Sequence, residues 1–240
     1  TLDKAKEAGV TAVIASDMSI ILYARSIDLE VHISTQLSIS NSEALRFYAQ
    51  FADVIVLARE LNMLQVKEIS DIIARDQIKG PAGELVQIEM FCHGALCMAI
   101  SGKCYLSLHE YGSSANRGSC FQICRRGYEV TDLETGAQLH VDNKYIMSPK
   151  DLCTIEFIDK MINAGVSVLK IEGRARSAEY VKTVTASYRK GVDAVLNGTF
   201  TPEYAAGLKK DLETVFNRGF WDGYYQGARL GPWSAVYGSR

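Results

Sequence analysis

Short, nearly unbroken apolar runs alternate with helical segments along most of this chain, and this alternation limits its fold more than any other feature. Three clear examples, each followed by a segment of helical pattern, are Thr11–Ser16 (TAVIAS), Asp53–Ala58 (DVIVLA) and Val166–Ile171 (VSVLKI). Strands of this kind are typical of a parallel sheet that helices cover on both faces. The sequence therefore predicts an α/β fold.

Six strand–helix units can be counted, and they begin near Thr11, Glu30, Asp53, Leu85, Tyr145 and Val166. An open doubly wound sheet could use six strands, whereas a (β/α)8 barrel needs eight strands and typically about 250 residues. The first residues, Thr1–Ala8, have the pattern of a helix whose preceding strand is absent. We therefore predict a TIM (β/α)8-type barrel that lacks its first two β/α units.

The predicted domain organisation has two parts. Residues 1–200 form the partial barrel, with a cysteine-rich loop insertion at about 92–145 that includes a hairpin around the turn DLETG. Residues 201–240 form a C-terminal helix and an irregular tail that packs on the barrel. Within the first part, Tyr145–Ser148 is expected to be a strand and Pro149 to begin a helix that ends near Asn163.

Composition bears on where the chain works and what it binds. The net charge is −2 and the isoelectric point is about 6.1, so the chain lacks the overall positive charge that would indicate a nucleic-acid partner. A local basic patch is compatible with these values. No apolar run approaches the roughly 18 residues of a membrane span. The polar start TLDKAKEAG does not resemble a secretory signal, so the six cysteines indicate a reducing cytoplasm.

Five of the six cysteines fall between Glu89 and Tyr128, which predicts a chemical role for this stretch. Four of them have the spacing C-x6-C-x15-C-x3-C, namely Cys97, Cys104, Cys120 and Cys124. Four thiolates can hold a zinc ion or an iron–sulfur cubane. The spacing matches neither the cysteine run of ferredoxins nor the close cysteine pairs of zinc ribbons. A third interpretation is that the four thiols bind no metal. We expect Cys92 and Cys153 to pack as small apolar residues, with Cys153 the first substitute for a failing ligand.

Three arginines flank these cysteines in the sequence, Arg117, Arg125 and Arg126. Positive charge beside thiols favours the thiolate form and would offset the charge of an anionic cluster. The arginines therefore support a metal centre, without deciding which metal it holds.

Four blocks of the sequence carry a resemblance to one known family. They are EMFCHGALCMAISGKCYLS at residues 89–107, SANRGSC at 114–120, VLKIEGRARSAEYV at 168–181 and NRGFWDGYY at 217–225. The chain resembles the collagenase-like peptidase family, peptidase family U32. This resemblance implies either a peptidase or a member of the branch whose iron–sulfur proteins hydroxylate RNA bases or a quinone precursor without molecular oxygen. In that branch the positions that match the four spaced cysteines hold a [4Fe–4S] cluster.

Barrel geometry selects further candidates, because active-site residues lie at the C-terminal ends of barrel strands. We predict Glu172 and His93 as catalytic residues. The predicted substrate-binding residues are Gln36, Arg59, Arg174 and Arg176. The arginines among them could bind a carboxylate or a phosphate through two hydrogen bonds each. Each catalytic prediction has a structural alternative. Glu172 could merely pair with an arginine at the strand end, and His93 could be a hydrogen-bonded histidine of the core.

Hydrolytic motifs are missing from the sequence, which contains neither the zinc helix H-E-x-x-H nor the nucleophile elbow G-x-S-x-G. The leading hypothesis is therefore an iron–sulfur-dependent hydroxylase that modifies an RNA base, of the tRNA uridine type. Its expected partners are tRNA or another RNA and an organic acid donor, with no membrane. A collagenase-like peptidase is the alternative, and a non-enzymatic scaffold stabilised by zinc is the third hypothesis.

Overall fold

The computed structural model describes residues 1–139, 145 and 147–227, and it divides the chain into two compact units. The first unit contains Thr1–Phe91, Phe157–Lys170 and Tyr224–Gly227. The second unit contains Cys92–Glu156 and Ile171–Gly223. The strand Gln87–Gly94 therefore begins in the first unit and ends in the second.

Helices and strands alternate through most of the described chain. In order, they are α1 (Leu2–Glu7), β1 (Ala12–Ala15), α2 (Met18–Ser26), β2 (Glu30–Ile33), α3 (Ser42–Ala49), β3 (Val54–Val56), α4 (Met63–Arg75), β4 (Gln87–Gly94), α5 (Leu106–Tyr111), β5 (Val130–Thr131), β6 (Gln138–Leu139), β7 (Asp151–Cys153), α6 (Ile158–Asn163), β8 (Val166–Ile171), α7 (Ala178–Leu196), α8 (Pro202–Glu213) and β9 (Phe220–Trp221).

The first unit is built on parallel strands in the order β1-β2-β3-β4. Ile33 pairs with Ile55, and Ile55 pairs with Ile88, and all three side chains are buried. Helix α3 begins after Asn41, whose side chain accepts the backbone N–H of Ala44 at 2.8 Å and so satisfies one of the donors that a helix start leaves unpaired. These elements confirm the predicted α/β fold with a mainly parallel sheet.

The second unit has a different strand pattern. The end of β4 pairs with the antiparallel strand β7, with His93 opposite Cys153, and β7 pairs in parallel with β9. Strands β5 and β6 form the predicted hairpin around DLETG. Helix α7 begins after Ser177, whose hydroxyl accepts the Tyr180 backbone N–H at 3.2 Å, and it buries one face that includes Tyr180 and Tyr188.

A closed barrel is not confirmed. Within the described ranges, β1 pairs with β2 alone, and β8 pairs with β4 outside the main strand order. The absence of two preceding β/α units stays a prediction, and so do the domain boundaries. The predicted tail lies partly outside the described residues, which stop at 227.

The prediction for the segment around Pro149 was wrong. Asp151–Cys153 is a buried strand, and the helix begins only at Ile158. Pairing of this strand with β4 and β9 overrides the local helix signal of the proline. The strand predicted at Tyr145–Ser148 does not form at its described residues.

No helix in the described part of the chain is long and apolar enough to cross a membrane.

Candidate functional site

The four spaced cysteines lie in the second unit between β4 and β5, three of them on irregular chain and Cys124 in a short 3-10 turn. This cysteine segment, residues 96–126, contains α5 and two short 3-10 turns, Ala115–Arg117 and Ile123–Arg125. Cys97 and Cys120 are exposed, whereas Cys104 and Cys124 are partly buried. No disulfide links any of the six cysteines of the chain, all of which are described.

One thiol of this segment, that of Cys124, is affected electrostatically by the other three. Burial raises the pKa of Cys124, Arg125 lowers it, and the other three cysteines of the set raise it further. The backbone N–H of Gln122 donates a hydrogen bond to the Cys120 sulfur, with 3.4 Å between the nitrogen and the sulfur. Gln122 itself has a left-handed backbone, with φ at 54°. Cys124 is therefore the member of the set on which the influence of the other three is seen.

As a donor set, four reduced thiols fit an iron–sulfur cluster, which is normally held by four cysteine thiolates. Among the described residues, however, no three His, Cys, Asp or Glu side chains are placed closely enough to hold a metal ion. The chemistry of the donors fits the cluster, while ligation would require the sulfur atoms to come closer together. The predicted ligands thus stay a prediction.

The three flanking arginines occupy different environments. Arg125 is buried, with 4% of its surface exposed. Arg126 is exposed, donates to the Tyr111 hydroxyl at 2.6 Å and lies over the Tyr111 ring. Arg117 is exposed and lines a cavity of about 420 Å³ with Leu108, Gly112, Ser113, Ser114 and Ser119.

His93 and Glu172, the predicted catalytic pair, are adjacent in the second unit. The backbone N–H of Glu172 donates to the His93 carbonyl at 2.8 Å. Gly94 makes this approach feasible, because its φ is +111° and a Cβ there would lie 2.5 Å from the Glu172 carbonyl oxygen. The ends of β4 and β8 therefore meet here, while the catalytic roles of His93 and Glu172 stay predictions.

The His93 ring itself is enclosed. It is 1% exposed, and its centre lies 5.5 to 5.9 Å from the rings of Tyr180, Tyr188 and Phe220. Burial, with a contribution from Arg176, lowers the His93 pKa to about 4, so the ring is neutral near pH 7. These surroundings favour a packing or positioning role over exchange of protons with solvent.

The arginines after β8 differ in their partners. Arg174 is exposed, and a Cβ built on Gly118 would lie 3.8 Å from its Nη1 atom, so this guanidinium lies beside the cysteine segment. Its backbone N–H donates to the Glu172 carboxylate at 2.9 Å. Arg176 instead lies 3.7 Å from Asp151 and over the ring of Phe216, with 4.4 Å to the ring centre. Arg174 is therefore the more accessible of the two.

The remaining predicted residues, Gln36 and Arg59, belong to the first unit. The Gln36 side-chain oxygen accepts the Ser16 hydroxyl at 2.9 Å, just after β1. Arg59 is 9% exposed and lies over the Phe91 ring, 5.4 Å from its centre. A shared rim with the cysteines stays a prediction.

A buried charged cluster in the first unit was missed from the sequence. The Glu89 carboxylate is hydrogen-bonded to His32 Nδ1 at 2.7 Å and forms an ion pair with Lys170 Nζ at 2.8 Å. Burial alone would raise the Glu89 pKa, but these two partners hold it below its ordinary value, and the Glu89 hydrogen bond raises the His32 pKa. A charged residue within the apolar run around Leu85–Phe91 was the signal available.

A second missed cluster lies in the second unit around Asp151, which is 1% exposed. Arg218 donates to its carboxylate from Nη1 at 3.1 Å and from the backbone N–H at 3.3 Å. Arg218 is itself 2% exposed and lies over the Phe216 ring. The block NRGFWDGYY contains this arginine, but the sequence does not show that its partner is an aspartate far earlier in the chain.

The family follows from comparison of the whole chain with known proteins. The family model of Peptidase family U32 matches residues 1–233. The chain belongs to this family. The resemblance seen in the four sequence blocks is therefore confirmed.

Curated relatives of the chain carry two kinds of name. A "Collagenase" of Porphyromonas gingivalis is 62% identical over 238 residues, which cover 99% of this chain and 58% of that protein. The "tRNA hydroxylation protein P1" of Bacillus subtilis is 42% identical over 89% of this chain and 51% of that protein. The "23S rRNA 5-hydroxycytidine C2501 synthase" of Escherichia coli is 37% identical over 94% of this chain and 33% of that protein.

The chain thus spans between 33% and 58% of the length of these three relatives. No solved structure matches it significantly.

Proposed function

We propose that this chain is part of an iron–sulfur-dependent hydroxylase that modifies an RNA base, of the tRNA uridine type. The observation that carries the proposal is the group of four reduced thiols in the second unit, namely Cys97, Cys104, Cys120 and Cys124. Relatives named for tRNA and rRNA hydroxylation, at 42% and 37% identity, support RNA as the substrate.

The proposed roles follow from what each side chain can do. The four thiolates would hold a [4Fe–4S] cluster, which supplies electron-transfer chemistry when bound. Arg174, exposed beside the cysteine segment, would bind an RNA phosphate or the carboxylate of the donor. Glu172, half-buried next to Arg174, would hold or accept a proton at its carboxylate. His93 is neutral and enclosed, and would keep the strand end in place.

The reaction balances with a hydroxylated organic acid as the oxygen donor. The base exchanges a C–H bond for a C–OH bond, which is a two-electron oxidation. The donor exchanges its C–OH bond for a C–H bond, which is the matching two-electron reduction. No further oxidant is then required.

Anaerobic purification of the chain tests the cluster. We expect brown protein with about four iron and four sulfide per chain, as a [4Fe–4S] cluster requires. Cys104→Ser should lose the iron, while Cys153→Ser, a change at a buried cysteine outside the set, should keep it. Colourless wild-type protein without iron would refute the proposal, and loss of iron in Cys153→Ser alone would show that the ligand set is wrong.

The second candidate function is a peptidase, and the 62% identity to a protein named collagenase favours it. It predicts cleavage of gelatin that survives Cys97→Ala and is lost in Glu172→Gln. If all four thiolates bind a cluster, none of these cysteines is free to act as a nucleophile. The peptidase and the hydroxylase hypotheses therefore predict different effects of the cysteine variants. If the protein contains zinc instead of iron, unfolds on chelation and shows no turnover, the scaffold hypothesis is the correct one.

A further inference from the structure

Arg125 differs from its neighbours in being a buried cation on an irregular segment. It follows Cys124 directly, and 4% of its surface is exposed. Its Nη1 atom donates to the Ser148 hydroxyl at 3.1 Å and to the Pro149 carbonyl at 2.7 Å, and its Nη2 atom donates to the Leu96 carbonyl. The three acceptors come from two segments far apart in sequence.

The positions of these acceptors give the arginine its importance. Leu96 immediately precedes Cys97, and Ser148 and Pro149 lead into β7. One guanidinium, on the residue that follows Cys124, therefore joins the chain just before Cys97 to the chain that leads into β7. Only arginine presents five donors in a rigid planar fork, so a lysine at this position could not hold all three acceptors in the same way.

The charge of Arg125 also points toward the thiols. Its hydrogen bonds within the described residues go to neutral oxygens, and a buried cation is costly without compensating negative charge. The groups that act on it electrostatically are the Cys124 and Cys97 thiols and the Asp151 carboxylate, with Arg218 as a like charge. Thiolates, or an anionic cluster held by them, would add to the negative charge of Asp151.

We infer that Arg125 is a positioning residue for metal ligation: its fork to Leu96, Ser148 and Pro149 holds Cys97 and Cys124 at one site. The inference rests on the proposed function, because it names the residue that prepares the proposed ligands. Arg126 has no such role, since it is exposed and bonded to Tyr111.

The first experiment is a titration of the reduced full chain with Co²⁺, whose absorption reports thiolate ligation. Side chains that orient ligands change metal affinity by roughly 10- to 100-fold, so we expect that loss in both Arg125→Gln and Arg125→Lys. Arg126→Gln is the matched control and should bind like wild type. Wild-type affinity in Arg125→Gln would overturn the inference, and wild-type affinity in Arg125→Lys would show that charge acts without the fork.

A milder variant covers the case in which Arg125→Gln fails to fold. Ser148→Ala removes one acceptor of the fork, from a side chain with 0% exposure. We expect weaker Co²⁺ binding than wild type with circular dichroism unchanged, and unchanged binding would count against the inference.

A readout without metal separates this inference from the proposed function. A short bifunctional thiol reagent should crosslink Cys97 to Cys124 in the metal-free wild-type chain, and peptide masses identify the product. Arg125→Lys should crosslink more slowly, whereas Arg126→Gln should not. If wild type binds neither cobalt nor iron but shows this difference, the proposed function fails, and so does the link of Arg125 to metal ligation, while its positioning of Cys97 and Cys124 stands. Equal crosslinking in all three proteins would refute the role.

Discussion

Removal of the Asp151 carboxylate should destabilise the chain more than any exposed charge change. Asp151 and Arg218 are 1% and 2% exposed, and Arg218 donates two hydrogen bonds to the carboxylate, while Arg176 lies 3.7 Å away. Removing one partner of a buried ion pair typically costs about 3–5 kcal/mol. Two hydrogen bonds to a charged group, at about 1.5–3 kcal/mol each, give a similar sum. We therefore expect Asp151→Ala to lose about 4 kcal/mol of unfolding free energy.

Urea unfolding followed by circular dichroism measures this loss, and the melting temperature should fall by roughly 10 °C. Glu156→Gln is the matched control in the same unit, because Glu156 pairs with Lys209 at 2.6 Å but is about half exposed. An exposed pair contributes at most about 1 kcal/mol. If Asp151→Ala costs no more than Glu156→Gln, the buried pair does not stabilise the fold as argued.

Three further predictions test other parts of the chain. Gly94→Ala should cost about 1–3 kcal/mol, because φ is +111° and the new Cβ would meet a backbone oxygen; an unchanged urea midpoint would contradict this. Stability from Glu89 is present above its ordinary pKa of 4.5 and lost as pH falls through its lowered folded pKa. Stability from His32 is present below 6.5 and lost as pH rises through its raised folded pKa, so His32→Gln should abolish that alkaline loss in pH-dependent unfolding. Iodoacetamide at about pH 8 should label exposed Cys120 before Cys153, whose pKa burial raises to about 11, and equal rates by mass spectrometry would refute the burial argument.

Elements with their own local signals could be predicted from the sequence. Helix α7 (Ala178–Leu196) follows Ser177 and α3 follows Asn41, and both are residue types that favour the start of a helix. Strand β7 could not be predicted, because its three residues are extended only through pairing with β4 and β9, which lie far away in sequence. A proline two residues earlier gives a helix signal that this long-range pairing overrides.

The same division applies to the candidate site. The four cysteines lie on one segment of the sequence, so a candidate donor set could be named from the sequence, whereas the environments of the flanking arginines could not be predicted. Nothing local distinguishes Arg125 from Arg126, because burial of Arg125 depends on acceptors at Leu96, Ser148 and Pro149. The cluster of His32, Glu89 and Lys170 joins three different strands, so it too requires the fold to be known.

The use of a buried arginine beside the cysteines has a physical reason that connects these observations. A segment that supplies four thiols from widely spaced positions cannot be a single regular helix or strand, so some of its buried carbonyl groups need donors from elsewhere. Apolar packing could fill the space but could not satisfy such a carbonyl, whereas one guanidinium satisfies the Leu96 carbonyl of the segment together with the Pro149 carbonyl and the Ser148 hydroxyl. Because a buried cation is also costly for stability, its presence here is better explained by the placement of the thiols than by stabilisation of the fold. An apolar replacement such as Arg125→Met should therefore impair metal binding even if it leaves the melting temperature unchanged, and Co²⁺ titration beside a thermal melt would show whether the two properties separate.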